Sequence, residues 1–183
     1  MSSFYSIKEL KHLGLKSYGK NVLISKKASI YSPEKIVIKD NVRIDDFCIL
    51  SGSIILHSNI HISAYCALYG SHNIEILSYS GMSPRATVFS AMDDFSGNHL
   101  INPMIDSKYT NVQGGMVLIK EYVQIGAGSI IFPNLTIQQG TVVGALSMVN
   151  KTLDEWGIYA GIPVKRIKER SRNLLNLNFL KDE

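Results

Sequence analysis

From residue 125 to residue 149 an apolar side chain returns at every sixth position: Ile125, Ile131, Ile137, Val143 and Val149. A strand alternates with a period of about 2 and a helix with about 3.6, so recurrence at six fits neither element alone. It fits a coil of three short walls that restores equivalent positions after eighteen residues. An eighteen-residue shift lays Ile125-Gly126-Ala127-Gly128-Ser129 on Val143-Gly144-Ala145-Leu146-Ser147. The same shift lays Ile44-Asp45-Asp46-Phe47-Cys48 on Ile62-Ser63-Ala64-Tyr65-Cys66. Such a repeat implies a triangular solenoid, in which each unit buries its apolar face only by stacking on the next.

The unit is an inward aliphatic residue, then a turn-tolerant one, then a second small residue four positions after the first. Ile24 to Ala28, Ile44 to Cys48, Ile62 to Cys66, Met82 to Ala86, Ile125 to Ser129 and Ile131 to Leu135 follow it. The tight corners call for Gly, Asn, Asp or Ser. The pattern extends from about Val22 to Val149 and is interrupted twice. Its register slips by two residues between Tyr69 and Ile74, and it stops altogether over a loop at 91–115. An excursion of that length in a compact domain suggests function, since the repeat resumes cleanly on both sides. Ahead of the solenoid, Ser6 and Glu9 form a capping-box pair for a short helix over 6–13, with Ile7, Leu10 and Leu13 on one face and Gly14 at its end. That helix would cover the open end of the prism. After the solenoid, a basic helix is expected to reach about Leu180, with Ile167, Leu174 and Leu177 as packing positions. The expected organisation is a capping segment at 1–20, an all-β parallel solenoid at 21–155 and a C-terminal extension with helix at 156–183.

Composition narrows the function by exclusion. A formal net charge of +4 with 19% charged residues is too weak a signal for nucleic-acid binding. No apolar run reaches the ~18 residues of a membrane span, and the N-terminus lacks the pattern of a secretory leader. A cytoplasmic protein is expected. Its two cysteines, Cys48 and Cys66, stand one period apart and should stack as reduced thiols filling core space. By the same ladder, Tyr65 should lie beneath Phe47 as an aromatic stack.

The repeats, the late loop and the ending Trp156-Gly157-Ile158-Tyr159-Ala160-Gly161-Ile162-Pro163-Val164-Lys165-Arg166-Ile167 together resemble the hexapeptide-repeat acyltransferases, in the branch of the maltose and galactoside acetyltransferases. Within that family, Ile44 to Gly52 and Asp93-Asp94-Phe95-Ser96-Gly97 look most like the N-acetyltransferases of nucleotide-linked 4-amino-4,6-dideoxy sugars. The resemblance covers nearly the whole chain. It implies a left-handed parallel β-helix, a handedness that periodicity alone leaves open. It also implies a homotrimer with active sites between subunits, acetyl-CoA as acyl donor, a nucleotide-sugar substrate, and a role in bacterial surface polysaccharide synthesis.

For the donor, Gly126, Ala127 and Gly128, stacked with Ala145 and Ser147, would give a wall bare enough for the pantetheine arm. Small residues also serve simply to make corners, and composition does not separate the two roles. Lys165 and Arg166, with Lys151 as a further cation, fall where the family meets the nucleotide end of the donor. For catalysis, most relatives place a histidine at the start of the loop; aligned on Thr87-Val88-Phe89-Ser90, that position holds Asp93. A carboxyl with a reference pKa near ~4 is a poor base at neutral pH. An alcohol must lose its proton during attack, whereas an amine can lose it afterwards, so Asp93 favours N-acyl over O-acyl transfer. His99 is the rival base. Asp46, Tyr69, Arg85, Asp94, Tyr109 and Asn111 are the candidate substrate contacts, each also readable as a surface or corner residue. Two other classes compete: a zinc hydratase drawing on His57, His61, His72 and His99, whose spacing does not stack them, and a trimeric scaffold without activity. No metal is expected.

Overall fold

The computed structural model describes residues 3–177. Short strands wind into a three-walled prism of parallel coils. The first wall is an eight-stranded sheet that begins with Val22–Ile24, Val42–Ile44, Ile60–Ile62 and Gly81–Met82. It continues through Gln124–Ile125, Val142–Val143 and Gly157–Ala160 to Lys165–Glu169. The second and third walls share a ten-stranded sheet, because Ile49–Leu56 and Ala67–Ile76 run through the corner between them. The architecture is consistent with the expected left-handed β-helix.

Register explains why the core is a set of columns. Val42 pairs with Ile60 and Ile44 with Ile62, then Ile62 with Met82, Met82 with Ile125 and Ile125 with Val143. Ile44, Ile62, Met82, Ile125 and Val143 are therefore stacked in the prism and all buried. Leu50, Leu68, Val88, Ile131 and Val149 form the second column, and Ile54, Ile74, Val117 and Leu135 belong to the third. Each such side chain contributes about 1.5–3 kcal/mol on leaving water. The slip at coil four is a two-residue bulge: Gly52 pairs with Gly70, but Ile54 pairs with Ile74. The long loop leaves the columns undisturbed, since Val88 pairs directly with Ile131.

The corners hold the departure from expectation. Many residues there adopt left-handed backbone, as the tight turn requires, yet several are large. One corner reads Asn21, Asn41, Asn59, Tyr79, Tyr122 and Trp156. Tyr79 stacks on Tyr122 with centroids 5.3 Å apart, and Trp156 reaches over Gly140, where a Cβ would fall 2.4 Å from the indole. Stacking one coil apart offsets a backbone geometry that bulky residues otherwise avoid.

The N-terminal helix is Ile7–His12 with both halves of the Ser6–Glu9 capping box formed. Leu10 is buried, and Lys26 pairs with Glu9 at 2.6 Å. The C-terminal helix is absent from the described residues. Lys165–Glu169 instead forms a strand antiparallel to Gly157–Ala160, followed by a 3-10 turn at Asn173–Asn176. The physical reason is the open edge of the first wall, whose backbone groups the returning strand pairs. Arg170 completes the closure, donating to the carbonyls of Tyr122 at 2.5 Å and Gly140 at 3.0 Å. Ile167 and Leu177 are exposed rather than packed, Leu174 is half-buried, and Leu180 lies outside the described residues.

Cys48 and Cys66 are free, fully buried thiols in the small-residue column that continues as Ala86, Ser129 and Ser147. Burial pushes the Cys48 thiol up to about 11 and Cys66 up to about 12. Native protein at pH 8 should therefore leave both thiols unreacted with Ellman's reagent, and denatured protein should release two equivalents. A thiol whose folded pKa is raised stabilises below its unfolded value and loses that stabilisation as pH rises. Thermal midpoints should fall between about pH 9 and 11, and Cys48→Ala/Cys66→Ala should flatten that fall. Rapid native labelling would refute the assignment.

Candidate active site

The loop is built on a small antiparallel ribbon. Ala91–Asp93 pairs with Val112–Gly114, setting Asp93 opposite Val112. Both ends are pinned at one point, where the Gly115 N–H donates to the Ser90 carbonyl at 2.9 Å. Buried Ser90 adds more: its hydroxyl donates to the Tyr69 carbonyl at 3.0 Å and accepts from the His72 N–H at 2.8 Å. The bulge at coil four thus supports the point of departure.

Beyond the ribbon, Asp94 organises the loop. Its carboxylate accepts from the Ser96 N–H at 2.9 Å, from Asn111 Nδ2 at 3.1 Å and from His99 Nδ1 at 2.8 Å. The Ser96 backbone and side chain, then Asn111 and His99, hold its carboxyl well below the usual carboxylate range. Asp94 is only 13% exposed and its oxygens are engaged inside the loop. Three candidate residues, Asp94, His99 and Asn111, therefore meet each other and are occupied with loop structure. His99 and Tyr109 also line a small tip cleft of about 280 Å³, away from Asp93.

Asp93 is different. Among the described residues its carboxylate has no hydrogen-bond or ion-pair partner, whereas the other loop carboxylates are occupied, Asp94 as above and Asp106 by Lys108 at 3.3 Å. It lines a cleft of about 350 Å³ with Met92, Gln113, Asn134, Phe132 and Asn150. Sequence reasoning missed Gln113, Asn134 and Asn150. The signals were available: Gln113 faces Met92 across the ribbon, and Asn150 stands eighteen residues after Phe132.

The glycine wall occupies another edge of the prism. Gly126, Ala127 and Gly128 turn the corner above Gly144, Ala145 and Leu146, with the Gly126 N–H bonded to Val143 and the Leu146 N–H to Ala127. A Cβ on Gly126 would lie 2.5 Å from the Ala145 nitrogen, so close stacking alone demands this glycine. Ser147 departs from its expected role. It is 2% exposed, and its hydroxyl accepts from the Gly161 N–H at 3.0 Å, so it points inward rather than toward a ligand. Lys151 and Lys165 are exposed, while Arg166 is engaged by Glu169 and by Asp154 and lies over Tyr159. Asp46 accepts from Ser25 at 2.5 Å and pairs with Lys27 at 3.0 Å, contacts that lower its pKa. Tyr69 stacks on Phe89 on the second wall at 5.2 Å, away from the loop tip. Phe47 stacks on Tyr65 at 4.9 Å, as the ladder requires, with Arg85 over the far side of Tyr65.

The histidines do not converge. His57 pairs with Glu75, His61 with Asp45 and His99 with Asp94, each at 2.8 Å. Among the described residues no three His, Cys, Asp or Glu side chains gather as a metal-binding set. No helix of the described residues is long and apolar enough to cross a membrane.

No family model matches the chain. It is 43% identical over 172 residues to a dTDP-4-amino-4,6-dideoxy-D-glucose acyltransferase of Escherichia coli, covering 92% of this chain and 90% of that protein. The N-acyltransferase AntD from Bacillus cereus, solved with dTDP-4-amino-4,6-dideoxyglucose and coenzyme A, superposes with a TM-score of 0.97 at 54% identity over the whole of both chains. The same enzyme solved with dTDP and 3-hydroxybutyryl-CoA superposes equally well. A maltose O-acetyltransferase from Clostridium difficile shares the fold at 21% identity and a TM-score of 0.58, covering 91% of this chain and 78% of that one.

The Asp94 cluster makes a prediction about order. A carboxylate with a lowered pKa stabilises above the ordinary value near ~4 and loses that contribution as pH falls below it. Amide exchange across 94–111 should stay protected from pH 8 down to about pH 4. Asp94→Ala should release that protection at neutral pH while the prism amides stay unchanged. Unaltered exchange in the variant would show that the carboxylate does not hold the loop.

Proposed function

Because the chain belongs to the family of dTDP-4-amino-4,6-dideoxyglucose acyltransferases, we propose that it N-acylates a dTDP-linked 4-amino-4,6-dideoxyglucose from an acyl-CoA. The observation that carries this reading is Asp93, the loop carboxylate left without a partner at the mouth of a cleft. The sugar nitrogen attacks the thioester carbonyl, so a C–N bond forms and the C–S bond breaks. The nitrogen's surplus proton passes to Asp93, and the departing thiolate takes up a proton as free coenzyme A. A carboxylate suits this order of events, because the amine is already nucleophilic before it loses a proton. Acetyl-CoA is the simplest donor. AntD's complex with 3-hydroxybutyryl-CoA makes a longer acyl group the natural second donor to test. The product would supply a bacterial surface polysaccharide, and the reaction would take place in the cytoplasm.

The active unit in this reading is a homotrimer. Gly128 and Phe132 mark opposite edges of the second wall, roughly 13 Å apart at about 3.3 Å per residue. A donor along the glycine corner of one chain therefore cannot reach that chain's own Asp93, since reacting atoms must approach within about 3.5 Å. Between those edges the second wall presents Tyr31, Tyr69, Phe89, Ile130 and Phe132 outward. The loop adds Phe95, Leu100, Met104 and Tyr109, all exposed. Apolar surface on this scale calls for a partner. Turning the second wall toward a threefold axis would bring one chain's Asp93 against the next chain's glycine corner.

Thiol release from acetyl-CoA and 3-hydroxybutyryl-CoA should require the dTDP-amino sugar and be absent with dTDP-glucose. Asp93→Asn should lower kcat at least about tenfold, roughly 1.4 kcal/mol of barrier, with donor KM unchanged. His99→Ala should retain far more activity than that. Turnover of hydroxyl acceptors alone would favour O-acylation instead. For the shared site, Asp93→Asn and Ala145→Trp subunits, each inactive alone, should regain activity when refolded together. Absence of any recovery in mixed trimers would mean that each chain works by itself.

A further inference from the structure

Five arginines occur in the chain, and four of them have oxygen partners in the structure. Arg43 pairs with Asp45 at 2.7 Å, Arg166 with Glu169, Arg170 with two backbone carbonyls, and Arg172 with Glu155 at 3.7 Å. Arg85 has none among the described residues. Its guanidinium lies over the Tyr65 ring, 5.5 Å from the centroid, and that ring stacks on Phe47 at 4.9 Å with planes 23° apart. At the far end of the ladder Lys27 sits over Phe47 at 5.3 Å, but its charge is shared with Asp46 at 3.0 Å. One end of the ladder is neutralised and the other is not.

The backbone adds a second observation. Phe47, Tyr65 and Arg85 occupy successive left-handed corners, with φ of 61°, 64° and 64°. The next coils on this ridge carry Gly128 and Leu146, beside the bare Gly126–Gly128 stretch. Phe47 and Tyr65 are 47% and 52% exposed, so core burial does not explain two aromatic rings in strained backbone. What the rings do is hold the guanidinium flat against a face, which leaves its five N–H donors directed outward. A fixed, planar, unpaired guanidinium matches a phosphate's oxygens.

We propose that Arg85 binds the diphosphate of the nucleotide-sugar acceptor, and that Phe47 and Tyr65 are positioning residues that hold its guanidinium. The inference rests on the acceptor class given under Proposed function. It places the diphosphate on the glycine-corner ridge, one coil above the donor wall. On that ridge acceptor and donor would lie end to end.

Calorimetric titration of dTDP and of coenzyme A into the trimer, with steady-state kinetics, tests this directly. Arg85→Gln should weaken dTDP binding at least about tenfold and raise acceptor KM similarly, leaving the coenzyme A Kd and kcat near wild type. Tyr65→Leu should weaken dTDP binding without touching the phosphates, and Arg85→Gln/Tyr65→Leu should be no weaker than Arg85→Gln alone. Additive losses in the double variant would overturn the positioning role. Unchanged dTDP affinity in Arg85→Gln, an effect on coenzyme A instead, or dissociation of the trimer would overturn the whole assignment. Wild-type protein that binds no dTDP at all would instead remove the proposed function on which the inference stands.

Discussion

Parallel backbone pairing between coils is the constraint on which everything else in this molecule depends. Because strands lie directly above their equivalents, about 4.8 Å apart, each sequence position belongs to a vertical column that shares one environment. Ile44, Ile62, Met82, Ile125 and Val143 stay dry together. Phe47, Tyr65, Arg85, Gly128 and Leu146 share a corner. Chemistry in such a fold is arranged by column and by height along the prism.

That regularity decides what the sequence discloses. The aliphatic columns, the cysteine stack, the Phe47–Tyr65 pair and both interruptions can all be located by counting residues, since position alone determines environment. The capping helix was equally legible, because its signal is local to Ser6 and Glu9. The C-terminal segment was not. Lys165–Glu169 carries charges that suit a solvated helix as well as an edge strand, and only the unpaired backbone of Gly157–Ala160 selects the strand. Tertiary pairing there outweighed local propensity.

The candidate site shows the same division. The loop's location was evident, and Asp93 emerged by alignment of the preceding Thr87 to Ser90. The roles inside the loop depended on contacts that spacing cannot encode. Asp94, His99 and Asn111 looked like ligand contacts and are engaged with one another. Ser147 looked like a donor to the pantetheine arm and faces the interior. A polar residue's availability is a matter of which partners it already has, and that information lives in three dimensions.

The junction of Ser90 with Gly115 has a further meaning. Entry to and exit from the excursion share a single backbone hydrogen bond, and Val88 meets Ile131 as though the intervening segment were missing. The prism is thus indifferent to whatever is spliced between those two residues. A segment of other length or composition grafted there would alter chemistry without taxing the scaffold, so acceptor preference can diverge among relatives while their coils stay superimposable.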